Sequence, residues 1–282
     1  MPPYPSSSVQ AARQALAERL RELRLDAGMS GRDMAREAGW QPSKVSRVET
    51  GKTAPSDEDI RAWCQACGAS GQAADLIAAN RTADSMYTQW RRLQRSGLRR
   101  LQESRIPLYE RTKVFRVYCS TVVPGLLQTP EYATALLTSI TRFHGTPDDV
   151  SDAVAARVAR SEIIRRGDHR FAVLVEESVL RHVIGSNDTM AGQLGHLLAV
   201  MALPSVSLGV IPAGVTRDMW TLETFNVFDD ERVHVELLTA AVTVTEPAEV
   251  ARYGAAFRSL SALAVHGTHA RALLTAAVDA LS

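Results

Sequence analysis

The sequence is short of cysteine: three thiols, Cys64, Cys67 and Cys119, stand in 282 residues. Three is too few and too odd a number for a disulfide framework, so the fold must rest on apolar cores, for which 45% hydrophobic residues are ample. No apolar run approaches the roughly 18 residues of a membrane span. The opening Met1–Ser8 is a Pro/Ser-rich arm without the apolar centre of a signal peptide. Both absences point to a soluble, cytoplasmic protein with no membrane partner. Catalytic fingerprints are missing as well: no P-loop, no dinucleotide-binding glycine pattern, no glycine-flanked serine elbow and no zincin spacing. His266 and His269 sit three apart and can share a helix face, yet metal chemistry needs a third ligand and a base beside them. Glu176, Glu177 and Glu236 would make an acid/base site only if strands brought them together; otherwise they cap helices, pair with arginine or face solvent. The expectation is no enzyme, no cofactor and no metal.

Net charge is nearly absent too, at +1, but its distribution is uneven. Residues 1–80 balance ten Lys/Arg with ten Asp/Glu, residues 81–116 carry ten against three, and residues 117–282 carry twelve against eighteen. The basic middle holds Arg91, Arg92, Arg95, Arg99 and Arg100, interleaved with Trp90, Leu93, Leu98 and Leu101, a pattern that predicts a basic amphipathic connecting helix over 81–112. Two uses stay open for it: laying arginines along phosphates, which would steepen the salt dependence of binding, or pairing with the acidic third segment.

What the chain does have is a dense run of helix punctuation from Met29 to Ser56. Ser30 caps a helix whose inner face is Met34, Ala35 and Ala38, and Gly39 ends it where a left-handed residue is needed. Pro42 opens the next helix at the position where a missing N–H is harmless. Val45 and Val48 give that helix an apolar edge and leave Ser43, Lys44, Ser46 and Arg47 on its remaining surface. Gly51, Pro55 and Ser56 close the unit and start another helix, with Asp57, Glu58 and Asp59 in its positive first turn.

This segment closely resembles the helix-turn-helix of the Cro and lambda-repressor (XRE) family. The resemblance rests on Leu20, Leu23 and Arg24, then Ser30, Met34, Ala35 and Gly39, then Ser43, Val45, Ser46, Arg47, Glu49 and Gly51, and finally Pro55 and Ser56. It implies binding to double-stranded DNA. Two positions depart: Gly31 stands where many relatives carry a phosphate-holding glutamine, and Pro42 replaces another glutamine that often reads a base. Contacts should therefore shift to Gln41, Ser43, Lys44 and Arg47, with Ser30, Arg32 and Lys52 beside them. Arg47 is the expected base reader, since a guanidinium can bond guanine O6 and N7 together; pairing with an acid such as Glu49 is its alternative. Lys44 is either a phosphate contact or a plain solvated lysine. Cys64 and Cys67 are read as core residues beside Ile60 and Trp63, with a redox switch as the alternative.

At 282 residues the chain needs at least one further domain. From Lys113 onward β-branched and aromatic runs recur, at Val114–Tyr118, Phe171–Val175, Val206–Ile211, Thr224–Phe228, Val233–Leu237 and Ala241–Val244. Helical stretches lie between and after them: Pro130–Arg142, Val150–Arg166, Met190–Met201, Ala248–Val265 and Ala270–Leu281. The predicted organisation is a flexible arm over 1–10, an all-α helix-turn-helix domain over 11–80, the connecting helix, and an α+β domain with a small sheet and packed helices over 113–282. Val123–Gln128 with Tyr132 and Ala133 looks like the signature of the large C-terminal domain of actinobacterial regulators of the WhiJ type, often called antitoxin-like. Glu177–Gly185, Gln193–Leu198, Pro204–Pro212 and Phe225–Glu236 fit the same pattern, while Ser161 follows Arg160 where relatives often have glutamine. The resemblance implies a transcription regulator whose larger domain senses or binds something, such as a small protein partner. A homodimer is expected, because one recognition helix reads only a few base pairs.

Overall fold

The computed structural model describes residues 7–77, 80, 87–89, 97–238 and 240–281. It divides into two compact units, Met1–Thr88 and Gln89–Ser282.

The first unit is helical: α1 (Ser7–Asp26), α2 (Gly31–Glu37), α3 (Pro42–Glu49) and α4 (Asp57–Ala66), followed by a 3-10 turn at Ser70–Gln72 and helical residues over 73–77. Local chemistry sets the boundaries. Ser30 and Ser56 each accept a bond from the backbone N–H three residues on, while Asp33 and Asp59 reach back to the cap, forming two capping boxes. Gly39 takes φ +68°, which lets the chain leave α2 and re-enter as α3 at Pro42. The helices close on Leu20, Met34, Val48, Ile60 and Trp63, all at most 1% exposed. Trp63 is tied into this core by its indole N–H, which donates to the Leu20 carbonyl at 2.9 Å.

The second unit is an α+β domain. Helices α5 (Leu98–Ser104) and α6 (Ile106–Arg111) lead into β1 (Val114–Cys119), then α7 (Pro130–His144) and α8 (Val150–Ser161) precede β2 (Arg170–Glu176). Next come α9 (Glu177–Arg181), α10 (Asn187–Val200) and β3 (Val206–Ile211), followed by β4 (Phe225–Phe228), β5 (Arg232–Glu236) and β6 (Ala240–Val244), with α11 (Pro247–Leu263) and α12 (Gly267–Asp279) last. Every run expected to be a strand is one. These six strands stand in the order β6-β5-β4-β1-β2-β3. β1, β2 and β3 run parallel, whereas β4, β5 and β6 form an antiparallel meander joined to β1.

Alternation along the strands sends Phe115, Val117, Cys119, Phe171, Val173 and Val175 to one face, where they share a core with α6, α7, α9, α10 and α12. Helix α11 packs against β3, β4 and β5. Thr129 caps α7 by accepting from the Tyr132 N–H, with Pro130 at the first turn as the sequence predicts.

Two expectations need adjustment. The arm over 1–10 is helical from Ser7 onward, where α1 begins; residues 1–6 lie outside the described residues. The connecting helix over 81–112 is not continuous among the described residues: Tyr87–Gln89 is extended and α5 and α6 are separate short helices. Trp90, Arg91, Arg92, Leu93 and Arg95 lie outside the described residues. Gly97 is the physical reason for the fresh start at α5. Its φ of 89° and ψ of 169° are closed to other residues, and the Asp149 carboxylate accepts from the Leu98 and Arg99 N–H groups at 2.8 Å each, capping the helix from 50 residues away.

Candidate nucleic-acid interface

Helix α3 presents two opposite faces. Val45 and Val48 are buried at 2% and 1% exposure, and at 100° per residue Ser43 and Arg47 point nearly the other way. Ser43, Ser46 and Arg47 are exposed, as is Gln41, which occupies the cap position before Pro42 without spending its side chain on a cap bond. Arg47 has no side-chain partner among the described residues. The acid weighed as its partner, Glu49, is taken by Arg24 instead, in a two-pronged pair at 2.5 and 3.0 Å whose side chains are only 9% and 13% exposed. Arg24 also donates to the Met29 carbonyl at 2.6 Å, so it locks α1 to the end of α3 and to the turn before α2.

The other expected contacts divide in the same way. Lys44 is engaged within the unit: its Nζ bonds Asp59 Oδ1 at 2.6 Å and lies 4.1 Å over the Trp40 ring. Burial works against the Asp59 carboxylate, but Lys44 and Ser56 together hold it below its ordinary range. Ser30 is committed to its capping box, donating to Asp33 Oδ2 at 2.6 Å. Arg32 and Lys52 are exposed without partners among the described residues. Gln41, Ser43, Arg47, Arg32 and Lys52 are therefore the donors left open to an outside acceptor, and all belong to one unit.

Cys64 is buried and Cys67 half-buried at the end of α4, and both are free thiols. Burial pushes both thiols up, which keeps them protonated and fits core packing.

The three glutamates weighed as an acid/base cluster do not converge. Glu176 is clamped by Arg217 and accepts from the Tyr118 hydroxyl at 2.7 Å; Glu177 pairs with Arg181 and accepts from the Ala213 N–H; Glu236 pairs with Arg105 at 2.8 Å. Strands β2 and β5, which carry Glu176 and Glu236, are separated by β1 and β4. No group of three metal-ligating side chains occurs among the described residues.

The second unit also contains a cavity of about 470 Å³, lined from the sheet by Val117, Cys119, Asn226 and Glu236, from the helices by Gln102, Tyr109, Arg157 and Arg160, and by Thr224 and Arg105 from the connections beside them, among others. The sequence alone gave no sign of it, apart from the spacing of Arg157 and Arg160, which puts both on one face of α8.

Comparison with known families matches residues 108–276 to DUF5753, a domain of unknown function. The chain belongs to the DUF5753 family. In this DUF5753 protein residues 15–77 match a helix-turn-helix domain, the unit that carries α2 and α3. No curated protein matches the chain. Among the described residues no helix is long and apolar enough to cross a membrane.

Proposed function

We propose that this DUF5753 protein is a cytoplasmic, sequence-specific transcription regulator of the XRE type that reads DNA through Arg47. The observation that carries the reading is the contrast on and around α3: Arg24 and Lys44 are held by Glu49 and Asp59, while Arg47 stands exposed with no partner among the described residues. A structural arginine is engaged by an acid, whereas a reading arginine must be presented empty, able to bond guanine O6 and N7. Gln41 at the cap of α3 and Ser43 in its first turn precede Arg47, and Arg32 and Lys52 supply phosphate contacts that set register. Ser30 and Lys44 act by shaping the unit, and Lys44 reaches phosphate only by giving up Asp59.

The protein acts as a homodimer, since doubling a short half-site supplies the specificity that one recognition helix lacks. The resemblance to regulators of the WhiJ type supports a C-terminal domain that senses or binds something, a small protein partner in the antitoxin-like case. A binding role rather than catalysis is supported by the separate arginine partners of Glu176, Glu177 and Glu236. The test is to sequence genomic DNA that co-purifies with the full chain. A shared inverted repeat is expected; fragments with no common motif would contradict the reading.

A further inference from the structure

The cavity of the second unit has walls of two kinds. Leu101, Leu136 and Ile140 contribute apolar lining, and Arg105, Arg157 and Arg160 contribute cationic lining. Glu236 is the single carboxylate among the lining residues, and it is bonded to Arg105 at 2.8 Å. Arg157 and Arg160 are left with uncharged partners. Arg157 donates to the side-chain oxygens of Gln128 and Gln102, while Arg160 donates to the carbonyl and the side-chain oxygen of Gln102, both at 2.9 Å, and lies over the Tyr109 ring. Arg160 is only 7% exposed, and its Nε has no partner among the described residues. Two guanidiniums thus share one cavity with a surplus of positive charge. Burying a charge without a counter-charge is strongly unfavourable, so the arrangement calls for an anion from outside. Burial, with repulsion from Arg160 and Arg105, pulls Arg157 down to about 10, which still leaves it protonated at neutral pH.

We propose that this cavity is a binding site for a small amphipathic carboxylate, its head held by Arg157 and Arg160 and its apolar body lying along Leu101, Leu136 and Ile140. A volume of about 470 Å³ is within the range of small-molecule sites. The mixed walls select the ligand class: an inorganic anion leaves the apolar lining uncovered, and a neutral lipid leaves the arginines uncompensated. The claim is independent of the DNA-reading proposal, because its readout needs no DNA.

The test is titration calorimetry of the full chain with decanoate below its micelle concentration, with octanoate, decanol and inorganic phosphate as separate arms. One decanoate per chain is expected. Octanoate, two methylenes shorter, should bind roughly tenfold more weakly. Decanol and phosphate should each bind at least roughly tenfold more weakly than decanoate. Arg157→Gln should weaken decanoate by at least roughly tenfold while leaving the decanoate-to-octanoate ratio unchanged. If that variant does not fold, the headgroup and chain-length arms on the natural chain decide alone. No decanoate binding, decanol binding as tightly as decanoate, or phosphate matching decanoate would each overturn the proposal.

Discussion

The two units use arginine in opposite ways. In the first, an arginine inside the fold meets an acid inside the fold, as Arg24 does with Glu49, while Arg47 is exposed without an acid partner among the described residues. In the second, Arg157 and Arg160 are turned inward, bonded to neutral glutamines and lining a cavity. The difference teaches where each unit expects its partner. A polyanion such as DNA is too large to be enclosed, so the cations that meet it must be on the surface. A small anion can be enclosed, and enclosure strengthens every charge contact made with it.

The comparison breaks most readily at the buried pair of the first unit. Glu49→Ala leaves Arg24 without its counter-charge at 9% side-chain exposure, and should destabilise that unit by about 3–5 kcal/mol. A urea melt of the variant followed by methyl resonances assigned to that unit checks this; a midpoint unchanged from the natural chain would show that the pair holds nothing together.

A smaller loss is expected in the second unit at Gly97. A Cβ there would collide with the Asp149 carboxylate that caps α5, and the backbone conformation excludes other residues. Gly97→Ala should cost about 2 kcal/mol, read as a lower melting temperature. Asp149→Ala, which removes the cap and the collision together, should make the Gly97→Ala change milder, a coupling that a double-mutant cycle measures.

Acid should separate the units by a smaller margin still. Burial first, then the charges of Arg105 and Arg232, pull the His234 ring from its ordinary 6.5 down to about 3, while Glu236 acts in the other direction. The unfolded chain binds that proton below 6.5 and the folded chain does not, so the second unit loses stability as pH falls from 6.5 toward 3. In the first unit Asp33 and Asp59 are held below their ordinary 3.8, so their contribution is complete above that value and is lost only beneath it. Urea melts at pH 7.5 and 5.0, followed by methyl resonances assigned to each unit, should show the second unit weakening first. Weakening of the first unit alone over that range would contradict the assignment.

What the sequence made legible was local. Ser30, Gly39, Pro42 and Ser56 marked the helix boundaries because caps and left-handed turns are decided within four residues. The six strands were legible for the same reason, as short β-branched runs set off by turns and helices. The charge partners were not legible, because they are tertiary. Glu49 lies two residues from Arg47 in the chain, yet the fold gave it to Arg24, 25 residues away. Lys44 found Asp59 across the turn between α3 and α4. The cavity needed Gln102, Gln128, Arg157 and Arg160 to be gathered from separate helices and a loop, which no window of sequence displays. The apolar rhythm near Leu98 and Leu101 was read correctly as helical there, but Gly97 and a distant Asp149 decided where that helix begins.

The central claim is that Arg47 reads a base because nothing within the described fold holds it. It is tested most directly by fluorescence anisotropy of the natural chain and Arg47→Ala, each titrated with the recovered operator and with a scrambled duplex of equal length and composition at one salt concentration. The account predicts that Arg47→Ala loses roughly 10- to 100-fold in affinity for the operator, from about 1–3 kcal/mol of base discrimination, and keeps much more of its affinity for the scrambled duplex. Equal losses on both duplexes, or no loss on either, would contradict it.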